Sequence, residues 1–156
     1  MNKSISNSPL EDGYDFHITD NSSEKYHFRI LTFPVPSGIF TEAVEVIEEN
    51  PTNSPRIYSH LSGFDADIEQ MELELKAKIQ KGINQRHIDE VDGHLEINDN
   101  DIIRGRIDHD DNLDSAFDTC LAIDGRKVTI EQFVEMLQAY PMNDFKFEVK
   151  DRTLGE

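Results

Sequence analysis

Thirty consecutive positions, 89–118, carry eleven carboxylates (Asp89, Glu90, Asp92, Glu96, Asp99, Asp101, Asp108, Asp110, Asp111, Asp114 and Asp118) against two arginines, Arg104 and Arg106. An ionised carboxylate is costly to bury unless it is paired and hydrogen-bonded. This stretch can therefore contribute only short strands and water-facing turns, and the core must come from elsewhere. It also holds more than half of the chain's formal charge of −17. Outside it, eight of the nine Phe and all four Tyr fall into discrete apolar runs, which separates a folding chain from a disordered polyanion. At 156 residues the chain suits one domain of ordinary size. No stretch approaches the ~18 consecutive apolar residues of a membrane span, and residues 1–15 contain no signal-type apolar region. The one cysteine, Cys120, excludes an internal disulfide and a paired-cysteine zinc ribbon. The expected location is the cytoplasm.

Along the chain, residues 1–22 read as a flexible leader rich in Asn, Ser, Asp, Gly and Pro, and residues 23–152 as a single domain. Residues 14–18 could dock as a short edge segment. Tyr26 to Phe33 alternates as a strand that Pro34 and Pro36 should end, because neither has an N–H for a ladder. Ile39 to Ile47 fits a strand through Val44 and Val46, although Glu42, Ala43, Glu48 and Glu49 would suit a helix. Arg56 to Leu61 reads as another strand after the Asn50–Pro55 loop. From about Asp65 to residue 87, Ile68, Met71, Leu75 and Ile79 recur at helical spacing, with Gly82 marking fraying. Leu95–Ile97, Ile102–Ile107 and Leu121–Ile123 are short strands. Asp124-Gly125 is a turn, and Thr129 with Gln132 forms a capping box. The stripe Ile130, Phe133, Val134, Met136 and Leu137 should be buried over a helix to about residue 140 that Pro141 stops. Phe145, Phe147 and Val149 then alternate as a final half-buried strand. The expected fold is α+β: one mixed or antiparallel sheet of five or six strands, packed by two helices.

From Ile102 onward these residues form a pattern. Ile103-Arg104-Gly105-Arg106-Ile107-Asp108, Ile123-Asp124-Gly125-Arg126, Glu131, Phe133, Met136-Leu137, Phe145, Phe147 and Asp151 resemble the C-terminal half of an uncharacterised bacterial domain family. Looser matches at His27–Ile30, Pro36–Ala43 and Asp67 to His87 extend the resemblance over residues 26–151. The chain departs from that pattern at Ile130, where the family has Trp, at Val134, where it has Gly, and over Pro141–Asp144. The resemblance implies no activity, cofactor or partner.

The site must then be sought in the residues themselves. Against a calcium loop, Asp108, Asp110 and Asn112 fill three ligand positions. Leu113 stands where Gly is needed and Thr119 where Glu is needed, so no metal site is assigned. The six histidines show no HxH or HExxH spacing. No Gly-x-Ser-x-Gly elbow or phosphate loop is present, Cys120 reads as a small core residue, and no catalytic residue or cofactor is assigned. Arg104 and Arg106 would share one strand face and neutralise nearby carboxylates. An acidic surface repels a phosphate backbone, which excludes direct nucleic-acid binding. The leading expectation is a non-enzymatic binding module whose acidic residues Asp99, Asp101, Asp108, Asp110, Asp111 and Asp114 engage a basic protein partner, as an inhibitor or immunity-type antagonist does. The alternatives are a carboxylate- and His-based metal-dependent enzyme, or a structural dimeric accessory domain. Both monomer and homodimer fit the sequence.

Overall fold

The computed structural model describes residues 13–48 and 50–151. Among them are nine strands and two helices: β1 (Tyr14–Thr19), β2 (Lys25–Val35), β3 (Gly38–Glu45), β4 (Ile57–Ser62), α1 (Ile68–Ile83), β5 (Ile88–Val91), β6 (His94–Ile97), β7 (Arg106–His109), β8 (Thr119–Ile123), β9 (Arg126–Thr129) and α2 (Ile130–Leu137). The fold is α+β, and every strand pairing is antiparallel. Instead of one sheet of five or six strands there are three: β1-β2-β3-β4, β5-β6 and β7-β8-β9. The described residues group into two compact units. Residues 13–47, 57–84 and 149–151 form the first, and 48, 50–56 and 85–148 the second. Each has its own apolar cluster.

The first unit is a four-stranded meander with α1 on one face. Tyr26, Phe28 and Ile30 of β2 and Ala43 of β3 meet Leu75, Ile79 and Ile83 of α1 in its core. Each large apolar side chain buried in this way contributes about 1.5–3 kcal/mol. The helix starts later than the sequence suggested. Asp67, not Asp65, is its cap and accepts from the Glu69 N–H at 3.0 Å. Gly82 is not a fraying point, since a Cβ there would lie 2.3 Å from the Tyr58 hydroxyl, so α1 approaches β4 because that side chain is missing. Residues 14–19, placed in the leader, form β1 against β2; residues 1–12 of that leader lie outside the described residues. Pro34 does not end β2. It faces Ile39 in the hairpin that closes at Val35 and Gly38. Alternation from that closing pair turns its nitrogen away from β3, toward the side that β1 vacates beyond Ile30, where no N–H is needed. Glu72 of α1 accepts from the Tyr14 and Thr32 hydroxyls, each at 2.8 Å. Burial first, and the Glu72 carboxylate second, raise the Tyr14 phenol well above its ordinary pKa.

The second unit is built from two small sheets and α2 around Ile88, Ile123, Val128 and Met136. Its hairpins turn at Asp92-Gly93 and Asp124-Gly125, where all four residues have left-handed φ between 51° and 83°. The strand expected over 102–107 is shifted to Arg106–His109, and 102–105 are irregular. Gly105 lies so close to β8 that a Cβ would meet the Ala122 carbonyl at 2.4 Å. The capping box on α2 forms as expected, with reciprocal bonds between Thr129 and Gln132 at 2.9 and 3.1 Å. Its expected apolar stripe is only partly covered: Met136 is buried and Phe133 packs on the core, but Val134 and Leu137 are about half exposed. The final strand does not form. Phe145, Phe147 and Val149 are unpaired and largely exposed.

The hairpin β5-β6 sets Asp89 directly opposite Glu96. Like charges opposed across strands are unfavourable. Glu96→Lys is therefore expected to stabilise the protein slightly, raising its thermal midpoint by about 1 °C in calorimetry.

Candidate partner-binding surface

The six acidic residues singled out in the sequence fall into two classes. Asp108 and Asp110 are paired with cations of the same unit. The Asp108 carboxylate takes Arg106 Nη2 at 2.9 Å, and Asp110 takes Lys127 Nζ. Arg106 also donates to the Pro55 carbonyl at 3.0 Å and to Ser54 Oγ at 3.2 Å. Burial alone would raise the Asp108 carboxyl, but the Arg106 guanidinium and the His109 N–H outweigh it and hold the pKa below the ordinary value. The Lys127 ammonium lowers Asp110 in the same way. In register with Asp108 lies Cys120, buried and with its thiol pKa raised first by burial and then by Asp108; a buried thiol held protonated is a poor nucleophile.

Asp99, Asp101, Asp111 and Asp114 are exposed. Asp99 and Asp101 are presented by a turn built on Asn98. Its N–H donates to the His87 carbonyl at 2.9 Å, its carbonyl accepts from the Asp101 N–H at 3.0 Å and its side-chain oxygen accepts from the Asn100 N–H at 3.0 Å. Asp101 stands at φ +57°. Burial, and then the field of Asp101, raises the Tyr140 phenol. Asp111 and Asp114 ride on the loop between β7 and β8. Asp110 anchors one end of that loop, its N–H reaching the Asp118 carbonyl at 2.8 Å and its carboxylate capping the Asn112 N–H at 2.9 Å. Glu131 of α2 anchors the other, accepting from Ser115 Oγ at 2.6 Å and the Ala116 N–H at 2.9 Å, and those two donors lower its pKa. The exposed aspartates therefore sit on loops braced by hydrogen bonds.

Within the loop, His109 Nε2 lies 3.2 Å from Asp111 and 3.9 Å from Asp118, and all three are exposed. The enzyme alternative calls for several of Asp108, His109, Asp110, His94 and Glu96 to line one cleft. Asp108 and Asp110 are instead held by Arg106 and Lys127, while His94 and Glu96 point to solvent from β6. The remaining histidines serve elsewhere: His17 and His27 stack at 4.3 Å, and His60 pairs with Glu74 at 3.3 Å.

One thoroughly bonded carboxylate of the second unit was missed as a site. Asp124 accepts from the His87 N–H at 2.8 Å, the Ile88 N–H at 3.0 Å and His87 Nδ1 at 2.9 Å. Its carbonyl accepts from Arg56 Nη2 at 2.8 Å. Burial works to raise its pKa, but these donors prevail and hold it below the ordinary value. The only sequence trace was the Asp-Gly turn, which accounts for a hairpin and not for partners 36 and 37 residues away.

Residues 11–84 match a domain of unknown function (DUF7686), and residues 85–154 match a second (DUF7713). Each half is thus similar to an uncharacterised domain family. No curated protein and no solved structure matches the chain. The resemblance seen across 26–151 is thus divided between two families, with the boundary falling just after α1. The DUF7713 segment contains all six acidic candidates, together with Asp124 and His87. No helix among the described residues is long and apolar enough to cross a membrane.

Proposed function

We propose that the DUF7713 half is a non-enzymatic binding module, acting in the cytoplasm, whose acidic loops engage a basic protein partner as an inhibitor or immunity-type antagonist does. The observation that carries this reading is the exposure of Asp99, Asp101, Asp111 and Asp114 on loops braced by Asn98, Asp110 and Glu131. Bracing lowers the ordering cost of presenting charge to a partner. The opposed pair Asp89–Glu96 and the chain's charge of −17 add to a negative field that steers a cationic surface toward it. The same field disfavours nucleic acid.

The test compares the full chain with a variant carrying Asp99→Asn, Asp101→Asn, Asp111→Asn and Asp114→Asn as baits in host lysate. The expected result is a basic protein retained by the wild type at about 0.15 M salt, released by about 0.5 M salt, and not retained by the variant. Equal retention by both baits, or a bound protein indifferent to salt, would refute the reading.

A further inference from the structure

The second unit contains a strand without a sheet and a sheet edge without a strand. In the order β7-β8-β9, the β9 edge is already met by residues 52–54, through the Lys127 N–H to Thr52 carbonyl bond of 2.9 Å and the Asn53–Arg126 bridge. Among the described residues, β7 has a strand neighbour on one side alone. Its Ile107 is in register with Leu121 and Val128, on the face that α2 covers at Val128, yet it is 57% exposed. Val134 and Leu137 of α2 are about half exposed as well. Phe117, tethered to α2 through the Ala116–Glu131 bond, is also uncovered. Meanwhile Phe145 and Phe147 are 91% and 72% exposed, and they alternate with Lys146 and Glu148 as a half-buried strand would. The turn at Tyr140–Asn143, with Met142 at φ +67°, precedes the segment. Exposed aromatics in strand alternation and an open edge are both features that soluble monomers avoid.

We propose that two copies of this chain dimerise by exchanging this segment, residues 145–149 of each adding as a strand to β7 of the other. Phe145 and Phe147 then lie beside Ile107 on the face that α2 only partly covers. The opposite face brings Lys146 and Glu148 alongside Asp108 and Arg106, signs that can be met in alternation. Five donor residues suit a four-residue edge. Each phenylalanine buries about 150–250 Å². Two per copy, with the surfaces that receive them, approach the roughly 800 Å² per partner of a stable interface. Because each copy both gives and receives, the arrangement closes on a two-fold axis and leaves no open end. The exchange does not depend on the acidic loops.

Sedimentation of the full chain is expected to give twice the 17.9 kDa chain mass at tens of micromolar. Phe147→Asp removes the donor strand and Ile107→Asp the receiving edge, and each alone is expected to weaken dimerisation roughly 100-fold. Mixing the two variants should restore a mixed dimer through the one intact donor and the one intact edge, which a misfolded variant could not do. The proposal is overturned by a monomeric wild type at 100 µM, by a dimer indifferent to Phe147→Asp, or by failure of the mixture to associate. Amide protection of residues 145–149 at concentrations where the wild type is monomeric would overturn it as well, by showing that the strand docks within its own chain.

Discussion

Asp124→Ala is expected to lower stability by about 3 kcal/mol, the scale for leaving several buried hydrogen-bond donors without their acceptor. In thermal unfolding of the full chain this corresponds to a loss of about 10 °C in midpoint. The substitution would orphan three donors at once: the N–H groups of His87 and Ile88, where β5 begins, and His87 Nδ1. Since β5 has only four residues, little else fixes its start against the β8–β9 turn. The pH dependence has a definite sign. The Asp124 pKa is depressed from its ordinary 3.8 on folding, so its contribution is fully present above that value and is lost as pH falls through the lower folded value. Asp124→Asn keeps an acceptor but no charge. It is expected to destabilise at pH 7 and to flatten this part of the acid limb below about pH 4. Denaturant midpoints measured between pH 2 and 7 would show it. A variant that follows the wild-type acid limb point for point would remove Asp124 from this role.

Phe28→Ala is expected to cost about 3–5 kcal/mol, the range for emptying an aromatic site in a packed core. Phe28 is fully buried in β2, with its ring 5.9 Å from that of Tyr58, and it faces the Leu75–Ile79 stripe of α1. β2 is an inner strand of the first sheet, paired with both β1 and β3, so neither neighbour can collapse into the void without breaking register. Phe28→Leu, which keeps most of the volume, should recover more than half of the loss. A drop under about 1 kcal/mol for the alanine variant would show that α1 does not pack there as described.

Within the first unit, sequence periodicity was a good guide. Tyr26, Phe28 and Ile30 alternate against a helix whose Leu75 and Ile79 recur at four residues, and both patterns survive as buried faces. β1 was legible only as a minority reading of a polar segment, because its inward residues, Phe16 and Ile18, are few. The second unit was harder to read. β5 (Ile-Asp-Glu-Val) and β9 (Arg-Lys-Val-Thr) have too few apolar residues to alternate visibly. The Asp92-Gly93 dipeptide was the available signal for the first of these hairpins. At the acidic surface, composition alone could not separate Asp108 and Asp110, neutralised by Arg106 and Lys127, from Asp111 and Asp114, which are exposed. Lys127 is seventeen residues from Asp110, and only the β8–β9 hairpin brings it back.

The amino-acid sequence by itself determined the charge, the α+β class, the long helix and its buried stripe, the Thr129–Gln132 cap and the Asp124-Gly125 turn, because each depends on residues within about a turn or a hairpin of one another. Tertiary structure decided the division into two units with separate cores, the pairing of individual carboxylates, the role of Asp124 and the exposure of Phe145, Phe147 and Val149. Those outcomes depend on which distant groups arrive within about 3 Å of each other, a distance that no local pattern encodes.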